Sequence, residues 1–276
     1  MECFVVYSSP AGSTKKVAEA IADTLRTQGF ETFTANLADP IAVSTALQRM
    51  KASEKHLLCI GSPVYACHAV PPVMSFIAGL SEASTSWAVP FVTWGCVTSG
   101  RALYEMAESL AQKGYRIAGA AALPAVHSLL WQAEHPFGEG RPDSNDLAQF
   151  QTFITKAATK MKSGHAALDL KALDYQPQHL AQTMQKLTLD AVRGMLPQKA
   201  VDASHCTQCG VCASTCPAAA ITLSPFPVFG SSCFLCYQCV RICPEHAITA
   251  DFSQMEAGLR QRAATFQEKA ELKFFI

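Results

Sequence analysis

The sequence predicts an α/β protein: a doubly wound, five-stranded parallel sheet followed by a second, smaller α+β unit built around cysteine. Two observations carry that expectation. Over residues 1–163, β-forming apolar runs alternate five times with stretches of helical periodicity. That is the pattern of a parallel sheet with helices on both faces. Eight of the twelve cysteines then fall within the 38 residues from Cys206 to Cys243, in two copies of one spacing.

Taken in order, Cys3–Tyr7 (CFVVY) reads as the first strand, and the small-residue loop SSPAGST follows it at once. Helical periodicity takes over in KKVAEAIADTLRTQG, with Val17, Ile21 and Leu25 on one face and Gly29 as the stop. Glu31–Ala35, His56–Ser62, Val89–Trp94 and Arg116–Leu123 read as strands two to five, with helices at 41–52, 72–80, 100–113 and 143–163. Residues 164–200 are more polar and read as a linker with one helix near 177–194. Residues 201–250 form the cysteine-rich unit, and 251–276 read as a helical tail. In sheets of this kind ligands bind beyond the carboxyl ends of the strands, where the strand order reverses. The loops after strands one, three and four are therefore the places to look for a site.

Composition narrows the function. Lysine plus arginine equals aspartate plus glutamate, at 22 each. A main partner of nucleic acid would usually bring a basic excess. No stretch approaches the roughly 18 apolar residues that a membrane span needs. The opening MECFVVY lacks the basic segment, apolar run and cleavage site of a signal peptide. A cytoplasmic protein with no membrane span and no nucleic-acid partner is expected. Compact cysteine clusters in such a setting read as metal ligands, not disulfides.

The first cysteine motif is Cys206–x2–Cys209–x2–Cys212–x3–Cys216–Pro217, and the second is Cys233–x2–Cys236–x2–Cys239–x3–Cys243–Pro244. The alternative, a pair of zinc sites, usually combines two well-separated cysteine pairs. The motifs resemble those of bacterial two-cluster ferredoxins, over about fifty residues. That resemblance implies two 4Fe–4S clusters with crossed ligation. One would be held by Cys206, Cys209, Cys212 and Cys243, the other by Cys233, Cys236, Cys239 and Cys216.

The loop Ser8–Ser9–Pro10–Ala11–Gly12–Ser13–Thr14 offers backbone N–H groups and hydroxyls at a helix N-terminus, which suits phosphate. It is similar to the flavodoxin turn that binds the flavin phosphate, with Ser9, Gly12, Ser13 and Thr14 matching and Ala11 replacing a hydroxyl. Pro63–Val64–Tyr65, after strand three, resembles the loop that supports the flavin ring, with Tyr65 as a stacking residue. Gly95–Cys96–Val97–Thr98–Ser99–Gly100, after strand four, resembles the second flavin loop, with Trp94 at the ring edge. The whole chain thus resembles fused flavodoxin–ferredoxin proteins of anaerobic bacteria and archaea, which implies the strand order 2-1-3-4-5 and FMN.

Cys67 and Cys96 fall in these loops, where free cysteine is ordinarily an apolar filler. Cys3 and Cys59 are expected in the core. His127 and Ser128, after strand five, have no identifiable carboxylate partner, so His127 is expected to be structural. No built-in NAD(P)H fingerprint is present. The expected function is electron transfer between FMN, the two clusters, a low-potential donor and an acceptor oxidoreductase. A homo-oligomer is compatible with the sequence. Two alternatives stand beside it: a flavin-dependent reductase of a small molecule fed by the clusters, and a non-catalytic redox or oxygen sensor. The sequence offers cofactor sites and no evident acid–base pair, which favours the carrier.

Overall fold

The computed structural model describes residues 1–276. The N-terminal elements are β1 Glu2–Tyr7, α1 Ser13–Thr27, β2 Glu31–Asn36, α2 Pro40–Ala52, β3 His56–Tyr65, α3 Pro71–Gly79, β4 Trp87–Trp94, α4 Ala102–Gln112, β5 Ala120–Pro124 and α5 Ser144–Lys162. The five strands lie parallel in the order 2-1-3-4-5, as expected. β1 pairs on both sides, with Val5 opposite Thr34 of β2 and Cys59 of β3.

Alternation along β1 explains the two layers of helices. Phe4 and Val6 point into one apolar core with residues of α2, α3 and α4, while Cys3, Val5 and Tyr7 point into another with residues of α1 and α5. A strand buried on both faces must be apolar almost throughout, which is why CFVVY shows no polar alternation. Cys3 and Cys59 are fully buried in the second core.

The structure changes three expectations. The fifth strand is broken: Arg116–Ile117 pairs with Trp87–Ala88, and after a gap at residues 118 and 119 β5 resumes the pairing, with Phe91–Trp94. The break falls at Gly119, where a Cβ would sit 3.0 Å from the Phe153 ring and 2.8 Å from the Phe275 carbonyl. The linker helix is also interrupted, into α6 Gln178–Lys186 and the single turn α7 Leu189–Val192. The Thr188 hydroxyl accepts the Ala191 N–H at 3.2 Å and starts the second turn, giving the backbone an alternative to continuing the first.

The third change concerns the tail. The cysteine-rich unit contains β6 Lys199–Val201, α8 Val211–Ser214, the hairpin of β7 Ile221–Leu223 with β8 Pro227–Phe229, α9 Gln238–Ile242, and β9 Ile248–Ala250, which pairs antiparallel with β6. After it, helix α10 spans only Met255–Phe266. The chain turns at Gln267 in the left-handed region (φ 51°), and β10 Lys273–Phe275 joins the large sheet antiparallel to β5. Phe274 stacks on Phe153 at 5.1 Å on one face, and Phe275 on Tyr175 at 5.2 Å. The tail thus closes an edge that would otherwise present unpaired backbone groups.

Candidate cofactor sites

The carboxyl ends of β1, β3, β4 and β5 open on one shared cavity. Ser13 and Thr14 line it from the start of α1, Pro63, Val64 and Tyr65 from the end of β3, and Trp94 and Gly95 from β4. The Thr14 and Thr93 hydroxyls pair at 2.7 Å on its floor.

The other residues singled out in these loops do different work. The Ser9 hydroxyl accepts the Lys15 N–H at 2.8 Å and caps α1. Gly12 precedes the helix at φ 94° with open space beside it, so its backbone conformation, not crowding, calls for glycine. Cys96 lies 3.8 Å from the Ala125 carbonyl. Gly100 lets two loops touch: a Cβ there would sit 2.2 Å from the Cys67 carbonyl. Ser99 bonds to Tyr175 at 2.7 Å and donates to Glu268.

Three polar groups in this region are buried without a hydrogen-bond partner: the hydroxyls of Ser8 and Tyr65 and the indole N–H of Trp94. Buried donors are ordinarily satisfied. Burial holds the Tyr65 phenol well above its ordinary range, so it stays a donor. His127 also lines the cavity, packed so closely under Gly95 that a Cβ there would lie 2.4 Å from the ring. The Leu129 N–H donates to His127 Nδ1 at 3.2 Å, which leaves the proton on Nε2. Burial lowers its pKa to about 4, so the imidazole is neutral at pH 7. An apolar slot with two unpartnered aromatic donors, ending at a helix N-terminus, fits a flat, acceptor-rich ring that carries a phosphate.

Part of the cavity wall was beyond sequence reasoning. Leu189, Val192 and Leu196 come from the linker, Leu235 from the second cysteine motif, and Leu259 and Arg262 from α10. The tail is held there by Glu268, which accepts hydrogen bonds from Thr98, the Ser99 N–H and hydroxyl, Gln176 and Lys273. Burial alone would raise this carboxyl. The bonds from Lys273, Ser99 and Gln176 outweigh it and hold the group below the usual carboxylate range.

The cysteines gather in two sets. Cys206, Cys209, Cys212 and Cys243 line one small cavity. Burial, and then the charges of Cys209 and Cys243, raise the Cys212 thiol. In the other set burial raises Cys236 to about 12 and Cys239 to about 11, with Cys233 and Cys216 adding to both. The thiols frame spaces, and no three side chains converge closely enough to hold a single ion. All-thiolate sets around such spaces fit iron–sulfur clusters.

The pseudo-twofold symmetry of the two motifs extends to the backbone. Gln208 and Leu235, Gly210 and Tyr237, and Ala219 and His246 occupy equivalent positions, and all six have φ between 46° and 76°. The Ala220 N–H lies 3.4 Å from Cys216 Sγ, and the Ala247 N–H 3.3 Å from Cys243 Sγ. Such N–H···S bonds tune cluster potentials.

The two kinds of site meet at the second motif. Leu235, between Cys233 and Cys236, forms part of the shared cavity's wall, and the Phe234 ring lies 6.1 Å from that of Tyr65. Phe234 and Cys236 are built into the apolar core of the sheet.

Comparison with known families agrees with this geometry. Residues 4–126 match the model of a flavodoxin domain. Residues 199–222 and 230–251 match two models of 4Fe-4S binding domains, one over each cysteine motif. The chain therefore carries a flavodoxin domain, which implies FMN, and two 4Fe–4S binding domains, which imply two clusters. No curated protein matches it. Among solved structures, a flavodoxin from the domain Archaea is similar at 22% identity and a TM-score of 0.45, covering 59% of this chain and 99% of that one. Rubredoxin oxygen:oxidoreductase from Desulfovibrio gigas is similar at 20% identity and a TM-score of 0.46, covering 59% of this chain and 36% of that one. The chain thus spans about a third of that oxidoreductase. Flavodoxin 2 from Bacillus cereus is similar at 14% identity and a TM-score of 0.42, covering 58% of this chain and 99% of that one. No helix is long and apolar enough to cross a membrane.

Proposed function

We propose that this chain, an iron–sulfur flavoprotein of electron transfer, relays electrons within itself, between FMN at the carboxyl ends of the sheet and two 4Fe–4S clusters, and through them to partner oxidoreductases. The observation that carries the reading is Leu235. It sits between two cysteines of the second motif and also lines the cavity shared by Tyr65 and Trp94. FMN supplies one- and two-electron chemistry when bound, and each cluster supplies single-electron steps.

The residues divide the work by position. Cys233, Cys236, Cys239 and Cys216 hold the cluster beside the flavin site. Cys206, Cys209, Cys212 and Cys243 hold the other. Cys236 and Cys239 are buried whereas Cys209 is exposed, so the cluster of Cys206, Cys209, Cys212 and Cys243 is the one that faces a partner. The N–H groups at the start of α1 and the Ser13 hydroxyl bind the phosphate. Tyr65 and Trp94 flank and donate to the ring, and His127 presents a neutral Nε2–H. Leu189, Val192, Leu196 and Leu259 exclude water. That apolar cover favours electron carriage over reduction of a small molecule at the ring. A low-potential donor and an acceptor oxidoreductase are the matching partners.

The test is an anaerobic reductive titration followed by visible absorption and EPR on the same samples. Flavin bleaching accompanied by signals from two interacting reduced clusters is the expected result. Cluster signals with no flavin component would overturn the relay.

A further inference from the structure

We propose that Arg241, from the cysteine-rich unit, is the cationic wall of the flavin's phosphate subsite, so that FMN is gripped by both units of the chain. The inference deepens the reading above and rests on it. Ala11 and Ser13 of the loop after β1 line the flavin-site cavity and also a second one that adjoins it. His127 and Ser128 line both as well, and Arg241 lines the second.

The loop itself brings no cation to an anion. The helix N-terminus offers only about half a positive charge. Of the first lysines of α1, Lys15 pairs with Glu19 at 3.7 Å and Lys16 donates to the Pro142 carbonyl at 2.6 Å. Arg241 is the reverse case, a cation with no carboxylate partner. Its guanidinium lies 3.9 Å over the Trp131 ring, donates to the Cys236 carbonyl at 2.8 Å, and donates to the Ser128 carbonyl. None of the chain's ion pairs includes it.

Two carbonyls and an aromatic face orient a guanidinium without neutralising it. Five N–H donors minus these two leave three unspent. The planar fork matches the oxygens of a phosphate monoester. The same contacts fix the second unit against the loop after β5, so binding of the phosphate and docking of the two units reinforce one another.

The test uses full-length protein with its clusters in place and its flavin removed, and measures binding of FMN and of riboflavin by fluorescence quenching. Arg241→Met keeps an unbranched side chain over Trp131 and removes the charge. FMN affinity is expected to fall about ten- to a hundredfold, the effect of losing a charge-assisted bond. Riboflavin affinity should stay the same, and Arg241→Lys should recover part of the loss. Inorganic phosphate should compete with FMN in the wild type and far less in Arg241→Met.

Equal weakening of FMN and riboflavin would make Arg241 merely structural and overturn the inference. A shift in cluster potential with an unchanged FMN-to-riboflavin ratio would assign its charge to the cluster instead. Phosphate bound as tightly as FMN would make this a site for the free anion, which also overturns it. Wild-type protein that binds no flavin would overturn the proposed function as well. Wild-type protein that binds FMN no better than Arg241→Met would overturn this inference alone.

Discussion

The sheet carries two apolar cores, of 28 and 23 residues, one on each face, and only Phe234 and Cys236 of the first come from the cysteine-rich unit. The cysteine-rich unit has a core of four: Cys212, Ile221, Cys239 and Ile248. Two of those four are thiols that we assign to the clusters. Hydrophobic burial suffices for the first region, but a unit of about fifty residues with so small a core needs other bonds to hold it. Ligand bonds to iron are expected to take that place, because metal-binding energy becomes folding energy where no preformed site exists in the unfolded chain. The backbone says the same. Five of the six symmetric positions held at positive φ are not glycine, and conformations of that kind persist only when their surroundings impose them.

The largest expected effect breaks this comparison directly. Stripping iron and sulfide should unfold residues 199–250 and leave the sheet standing, read as rapid proteolysis of the C-terminal unit beside a protected N-terminal fragment. An apo unit that resists protease would show that its small core is enough. Cys236→Ser should lower the iron content by about half, and unchanged iron would refute the ligand assignment.

Next comes the opposite manipulation. Phe91 is fully buried, packs at a tilt against Phe150 and lies against Gly61. Phe91→Ala should destabilise the sheet by about 3–5 kcal/mol in denaturant unfolding while the iron content of the folded protein stays the same.

A pH effect should follow from His127. Its folded pKa of about 4 lies below the ordinary value near 6.5. Between these values the unfolded chain binds a proton that the folded chain does not, so stability is lost as pH falls from 6.5 toward 4. The loss should reach up to about 3 kcal/mol, and His127→Gln should flatten the slope in that window.

Glu268 runs on carboxylate logic. Its carboxyl lies below the usual range, so its contribution is present above the ordinary carboxylate value near 4.3 and is lost as pH falls below it. Glu268→Gln should cost about 2 kcal/mol and expose residues 251–276 to protease at neutral pH. The smallest effect is at Gly12, where alanine at φ 94° should cost about 1 kcal/mol and weaken FMN retention, measured as flavin per chain after gel filtration.

Much of this was legible in one dimension. The strands and helices of residues 1–163 follow from local periodicity, since each pattern is set by residues within two turns of one another. The two cysteine motifs were legible in their spacing, whereas the crossed sets came only from the resemblance to two-cluster ferredoxins. Of the flavin-loop residues, Ser13, Thr14, Pro63, Val64, Tyr65, Trp94 and Gly95 stand in the cavity wall, whereas Cys96, Ser99 and Gly100 serve contacts between loops. Strand β10 was missed because Lys273–Phe275 is too short to show a period.

Tertiary structure alone decided how the parts meet. Leu235 and Arg262 in the cavity wall, Glu268 reaching Thr98 across 170 residues, and Arg241 reaching Ser128 across 113 leave no local signature. Composition and spacing constrain what a segment is, because neighbours in the chain share a helix or a strand. Where a leucine or an arginine comes to rest depends on which surfaces are left to be buried once those segments have formed.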